Sequence, residues 1–323
     1  MAGNTQPPTD VDELEATPEF NEKCITIVRQ WERGELPYKN AVAELEGYAQ
    51  EAISEYHPAN QARVEHAIAY IEHYRGKHSI SIQRYDRARK LYKQLGNQER
   101  IAIIDLNQGE NYRFKGDFTR ALRLYRSAYE TAERLGNIRV QTIAAVNEGL
   151  TLLAVDQNNS ARRAFDAGLK LAEQWDEDLD VLPGLLCEVH HGMAKIHLDN
   201  DDLRAAWDDG LKALEAANES KQPLQAGYAN RVIGVIISKL GESPDPNFSS
   251  DPDVYFNEAM SAFREINAEA EIARTMYEQA RSMAIRGRRT MAARKLQHVM
   301  VVFTRLDMAH DAARAAEAQL AVT

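Results

Sequence analysis

Apolar and small residues return every three or four positions through most of the chain, a period that gathers them on one side of a helix. In GDFTRALRLYRSAYETAERLGN, residues 116–137, Ala121, Tyr125 and Ala128 share a face, Gly116-Asp117 opens the segment with a turn, and Gly136 closes it. Upstream, IAIIDLNQGENYRFK puts Gly109 and Tyr112 on a second helix, so the local design is helix, tight turn, helix. Gly109, Ala121 and Ala128 are small enough to let two helices approach, and Tyr125 fills the space beside them.

The design recurs. LGN closes at residue 97 and again at residue 137, 40 positions later. Residues 63–97 give Ala69, a turn at Gly76-Lys77, then Tyr85 and Ala88; residues 141–174 give Asn147-Glu148-Gly149, a turn near Asp156, then Ala161, Phe165 and Gly168. Residues 186–217 give Ala194, a turn at Asp201-Asp202, then Ala206, Gly210 and Ala213. Residues 226–266 give Gly234, a turn at Gly241, then Ala259 and Phe263, and residues 273–306 give Ala280, a turn at Gly287, then Ala292 and Leu296. Turns at 76, 116, 156, 201, 241 and 287 define a period near 40 residues, the signature of a solenoid.

Gly109, Tyr112, Gly116-Asp117, Ala121, Tyr125 and Ala128 follow in order the small-aromatic-Gly-Asp-Ala-aromatic-Ala pattern of the tetratricopeptide repeat family, which the chain resembles over about residues 60–306. Asp105 stands where that family usually has Trp, and the repeat is longer than the family's usual length of about 34 residues. Longer helices resemble the variant in kinesin light chains and in the helical arms of bacterial signalling regulators. The resemblance implies an all-α, right-handed α-α superhelix whose first helices line a concave groove, and a partner that is a peptide or protein segment.

Six helix pairs are expected over 60–306, with capping elements at both ends. FNEKCITIVRQWERGELPYKNAVAELEGYAQEAISEYHP reads as an N-terminal capping pair, residues 18–59, turned at Gly34-Glu35 with Pro37 in the first turn of its second helix. Residues 307–323 read as a C-terminal capping helix, with Ala312, Ala313, Ala316 and Leu320 on one face. The polar, acidic first 17 residues read as a disordered tail. GESPDPNFSSDPD, residues 241–253, is too rich in Pro, Ser and Asp for a helix and reads as an exposed loop, a tolerated insertion ahead of a functional contact.

Composition narrows the partners. Lys and Arg number 39 against 49 Asp and Glu, and the net charge of −10 argues against a general affinity for nucleic acid or anionic lipid. Two cysteines, Cys24 and Cys187, neither make a disulfide framework nor follow a zinc spacing, and no stretch has the 18 apolar residues of a membrane span. A cytoplasmic protein without cofactor or metal is expected, with homo-oligomerisation left open.

Projecting the first helices by their 3.6-residue period gives the groove: Arg63, His66, Tyr70, His73 and Tyr74; Leu106, Glu110, Arg113 and Phe114; Leu150; then Tyr228, Arg231, Arg274, Tyr277 and Arg281. Aromatic and Arg side chains are the stuff of interface hot spots, although some of these positions could equally pack between repeats. CEVHHGMAKIH puts Cys187, His190, Ala194 and His197 on one face, with His191 pointing elsewhere; without a C-x-x-C or H-E-x-x-H pair the residues read as core or interface histidines rather than metal ligands. RSMAIRGRRTMAARK, residues 281–295, is basic throughout and reads as a solvated rim, with an anchor for an acidic segment as the sharper alternative. No phosphate loop or nucleophile motif is present, so an enzyme is not expected. Two functions remain: a module that binds a peptide or protein segment in the groove, or a regulatory sensor that changes shape when a peptide or small effector enters.

Overall fold

The structure is a computed structural model, and it describes residues 14–175 and 181–322. Most of the tail expected over 1–17 therefore lies outside the described residues, which are helix, turn, bend or irregular with no strand. The helices are α1 (Pro18–Glu32), α2 (Tyr38–Ser54), α3 (Pro58–Tyr74), α4 (His78–Leu95), α5 (Gln98–Phe114), α6 (Phe118–Leu135), α7 (Ile138–Ala154) and α8 (Asn158–Ala172). They continue with α9 (Leu182–Asp199), α10 (Leu203–Ser220), α11 (Pro223–Leu240), α12 (Pro252–Glu265), α13 (Glu269–Ile285), α14 (Arg289–Arg305) and α15 (Ala309–Val322). Two compact units divide them: residues up to Arg113 with Thr119–Gln141, and Phe114–Phe118 with Thr142 onward.

Among the described residues most turns contain a single left-handed residue. Gly76, Gly116, Gly241 and Gly287 have φ between 73° and 85°, as suits the residue without a Cβ. Asp156 and Asp201 take the same role at 58° and 56°, since a short polar side chain tolerates this region. Between repeats the reversal falls on Gly96 and Gly136, but also on Tyr56, Lys221, Asn267 and Asp307.

The helices of a pair meet where one side lacks a side chain. A Cβ on Gly109 of α5 would lie 2.5 Å from Cε1 of Tyr125 on α6, and Tyr125 is fully buried between Ala121 and Ala128 on the same face of its helix. In the second unit Phe165 of α8 is received by two glycines, Gly149 of α7 and Gly192 of α9, where a Cβ would sit 2.6 and 2.5 Å from the ring. Asp105 is 1% exposed; Arg89 Nε donates to it at 2.8 Å and Ser127 Oγ at 2.9 Å, so three helices meet on a carboxylate.

Hydrogen bonds between equivalent positions of successive repeats write the period into the packing. Asn107 of α5 meets His66 of α3 at 3.3 Å, Cys187 Sγ of α9 donates to Gln225 O of α11 at 3.5 Å, and Ser238 Oγ of α11 donates to Ser282 Oγ of α13 at 2.6 Å. First helices accordingly pack against one another, α1 on α3, α9 on α11, α11 on α13 and α13 on α15.

The segment between α11 and α12 is anchored. Phe248 meets Trp207 edge to face at 5.2 Å, and Ser243 N donates to Ser250 Oγ at 3.0 Å. The α5–α6 turn also has partners within the second unit: Lys115 Nζ lies 3.2 Å from Asp307 Oδ2, and Phe118 is edge to face with His310 at 5.1 Å. Among the described residues no helix is long and apolar enough to cross a membrane.

Candidate functional site

In the first compact unit the first-helix positions of α3 and α5 form a polar and aromatic row. Arg63 Nε donates to Asn21 Oδ1 at 2.6 Å, and Tyr70 OH donates to Glu32 Oε1 at 2.7 Å, so α1 anchors α3 at two levels. Tyr70 and Tyr74 rings lie 4.6 Å apart; Tyr74 is 48% exposed, while burial first, then Tyr74 and Glu32, push the Tyr70 phenol well above its ordinary range. His66 packs edge to face on Tyr85 at 5.4 Å, and burial, reinforced by Arg63 and Arg100, lowers its pKa to about 3. His73 and His78 both approach Asn111 Oδ1, at 3.1 and 3.0 Å, and Glu110 lies between His73 and Arg113 at 3.8 and 3.6 Å. Leu106, projected onto the groove from sequence, is buried at 5% exposure.

In the second unit the corresponding row runs over α9, α11, α13 and α15. His191 stacks on Tyr228 at 5.4 Å, and Arg231 lies 5.3 Å from the Tyr228 ring and 5.4 Å from that of Phe263. Burial first, then the charge of Arg231, lowers the His191 pKa well below its ordinary value. Arg231 is itself buried and bonded to Glu271 at 2.6 Å; Glu271 holds Arg274 at 2.6 Å, and Arg274 reaches Asp311 at 3.0 Å. Burial by itself would raise the Glu271 carboxyl, but Arg231 and Arg274 outweigh it and hold it at about 2. Arg274 also faces Phe114 at 5.5 Å, so two residues that sequence projection put separately on the groove touch each other. Tyr277 lies between Arg281 and Arg314, 5.8 and 5.5 Å from its ring centre, while Leu150 is half-buried on α7.

The other two sequence candidates resolve into internal pairs. His190 Nδ1 and His197 Nε2 both face Asp209, at 2.9 and 3.5 Å, and Cys187 is buried, its thiol pKa raised by burial. Among the described residues no group of three or more His, Cys, Asp or Glu side chains is disposed to hold a metal ion. In the basic segment, Arg286 pairs with Asp251 and Asp253 at 3.3 and 2.9 Å and Arg288 lies 3.6 Å from Asp253, so part of that rim is neutralised by the start of α12. Sequence reading missed Lys195, a half-buried cation on α9 whose pKa burial lowers to about 8; an isolated Lys on a helix carries no signal that its face will be covered.

Residues 60–134 match the family model of the tetratricopeptide repeat. No curated protein sequence matches the chain. Among solved structures it is similar to aspartyl phosphate phosphatase F from Bacillus subtilis, with a TM-score of 0.69 at 13% identity over 90% of this chain and 70% of that one. A Rap protein complexed with competence and sporulation factor gives 0.64 at 13% identity over 99% of this chain and 88% of that one. The apo form of the quorum sensor NprR from B. thuringiensis gives 0.57 at 12% identity over 97% and 99%. At these identities the shared property is the helical-repeat fold.

Proposed function

We propose that the chain is a non-catalytic, cytoplasmic binding module that takes a peptide or a segment of another protein on its first-helix faces. The observation that carries this reading is the face of the second unit, where aromatic rings lie beside guanidinium groups: half-buried Tyr228 beside the buried Arg231, and Tyr277, 9% exposed, beside the more exposed Arg281 and Arg314. Such rings offer apolar area at low entropic cost, and the arginines add orientation, the combination found at interface hot spots. In the first unit the exposed Tyr74, backed by Tyr70 and edge to face with His73, which faces Glu110 at 3.8 Å, offers a second aromatic patch. One protein of similar fold is complexed with competence and sporulation factor and another is a quorum sensor, which agrees with a fold used to receive a ligand.

Selection of displayed random peptides on the full chain, followed by titration calorimetry, tests the reading. Tyr74→Ala or Arg281→Glu should weaken a selected peptide by more than about 1 kcal/mol without loss of helicity. Wild-type affinity in both variants would move binding off these faces, and failure to select any peptide would overturn the reading.

A further inference from the structure

We propose that the α5–α6 turn, Phe114–Phe118, is an autoinhibitory occupant of the second unit's first-helix row, and that a bound peptide takes its place; the inference rests on the peptide-binding reading above. By its contacts the turn is part of the second unit. Its burial sets it apart from the other turns within helix pairs. Gly34, Gly76, Asp156, Asp201, Gly241 and Gly287 are all exposed, whereas Gly116 and its neighbours from Phe114 to Phe118 are half-buried. They lie against α13 and the start of α15. The Phe114 ring is 5.5 Å from the Arg274 guanidinium, and Lys115 Nζ is 3.2 Å from Asp307 Oδ2. A Cβ on Gly116 would be 3.5 Å from His310 Cβ, and Phe118 is edge to face with the His310 ring at 5.1 Å.

The place matters because Arg274 belongs to the row. It shares Glu271 with Arg231, reaches Asp311, and stands one turn of α13 before Tyr277. Phe114 gives Arg274 the aromatic ring that Tyr228 gives Arg231 and Tyr277 gives Arg281. Within five residues the turn therefore presents the chemistry expected of a partner segment, two aromatic rings around a lysine. A segment arriving from outside meets Arg274 already covered. The contacts that cover it are of kinds that part readily. The Asp307 side chain is 83% exposed, so water screens its pairing with Lys115. The ring contacts join half-buried groups, each contributing little. His310 Nε2 is buried and has no hydrogen-bond partner among the described residues, a cost that release of the turn relieves. The covered arrangement is thus held by a small margin, which a ligand's own contacts can exceed.

Two variants release the turn without altering the residues it covers: Lys115→Glu, which sets like charges against each other, and Phe118→Ser, which is neutral and so controls for charge. Displayed random peptides are selected on the full-length Lys115→Glu chain, and one selected peptide is titrated into the wild type and both variants. Amide hydrogen exchange of residues 114–118 and 309–313 is followed in parallel. Both variants should bind that peptide about fivefold or more tighter than the wild type, with faster exchange in both segments. Adding Asp307→Lys to Lys115→Glu exchanges the signs of the pair and should return exchange to the wild-type rate. Faster exchange with unchanged or weaker binding would overturn the autoinhibitory contact and leave the binding reading standing. Unchanged exchange in both variants would show that these contacts do not hold the turn, and would overturn the proposal alone. Failure of the Lys115→Glu chain to select any peptide would overturn both.

Discussion

Tyr125 occupies the place that a side chain on Gly109 would need: its Cε1 lies 2.5 Å from where that Cβ would be, and the ring has no exposed surface into which to retreat. Gly109→Ala should therefore destabilise the first unit by about 1 to 3 kcal/mol, the usual cost of overpacking. Denaturant midpoints should show Ala121→Trp, at an equally buried site, losing more still, and a change at exposed Arg123 losing almost nothing. Equal midpoints for all three would mean that the helix register is different.

Asp105 and Arg89 predict an asymmetric pair of mutations. Asp105 is buried while the Arg89 side chain is 37% exposed, so Arg89→Met strands a buried carboxylate, whereas Asp105→Leu frees an arginine that water can reach. The first should cost about 3 to 5 kcal/mol, the second much less, and the double variant should recover most of the loss. A double-mutant cycle on denaturant unfolding measures it; additive losses would show that the pair does not interact.

Acid should weaken the fold in two windows of the same sign. Folded His66 stays neutral down to about 3, while the unfolded chain takes up its proton near 6.5, so stability falls as pH descends through that interval. Folded Glu271 keeps its charge down to about 2 against 4.5 unfolded; the stability it contributes above 4.5 is lost as pH falls toward 2. Urea midpoints across this range should decline steadily. His66→Gln should flatten the upper window and Glu271→Gln the lower, and an unchanged slope in either variant would refute its part.

Exposure separates the tyrosines on α3. Tyr74 is 48% exposed and Tyr70 is hydrogen-bonded to Glu32, so Tyr74→Ala should leave the melting temperature almost unchanged, while Tyr70→Ala should lower it by several degrees. A drop of similar size for Tyr74→Ala would make it a packing residue and remove it from the binding proposal.

Much of the repeat was legible because its turns and close contacts need particular residues. Gly76, Gly116, Gly241 and Gly287 mark left-handed turns, and Gly109 marks a close approach, because the missing Cβ is a visible letter. Tyr56 and Lys221 do the same backbone work without leaving such a mark. The candidate site was less readable for a different reason. First helices are covered on several sides at once: in α3 alone Ala59, Ala62, Val64, Ala67, Ile68 and Ile71 are all buried, together with Asn60, Glu65 and Glu72. Projection of one helix cannot say which polar residue meets solvent and which meets the next repeat. Arg231 and Arg274 were both read as groove side chains, and their shared partner Glu271, on another helix from Arg231, was invisible to that projection.

A stack in which each repeat touches only its neighbours stores no information about its far end, and its stability is close to a sum over links. The contact between Lys115 and Asp307 joins residues 192 positions apart, inside the second unit, and Phe118 on His310 reinforces it. That closes a long chain loop, whose entropy has to be overcome once and whose rupture is then felt at both ends. Unfolding of this unit should accordingly be more all-or-none than a linear array allows, and the last repeat and the α5–α6 turn should exchange their amide protons with the same opening event.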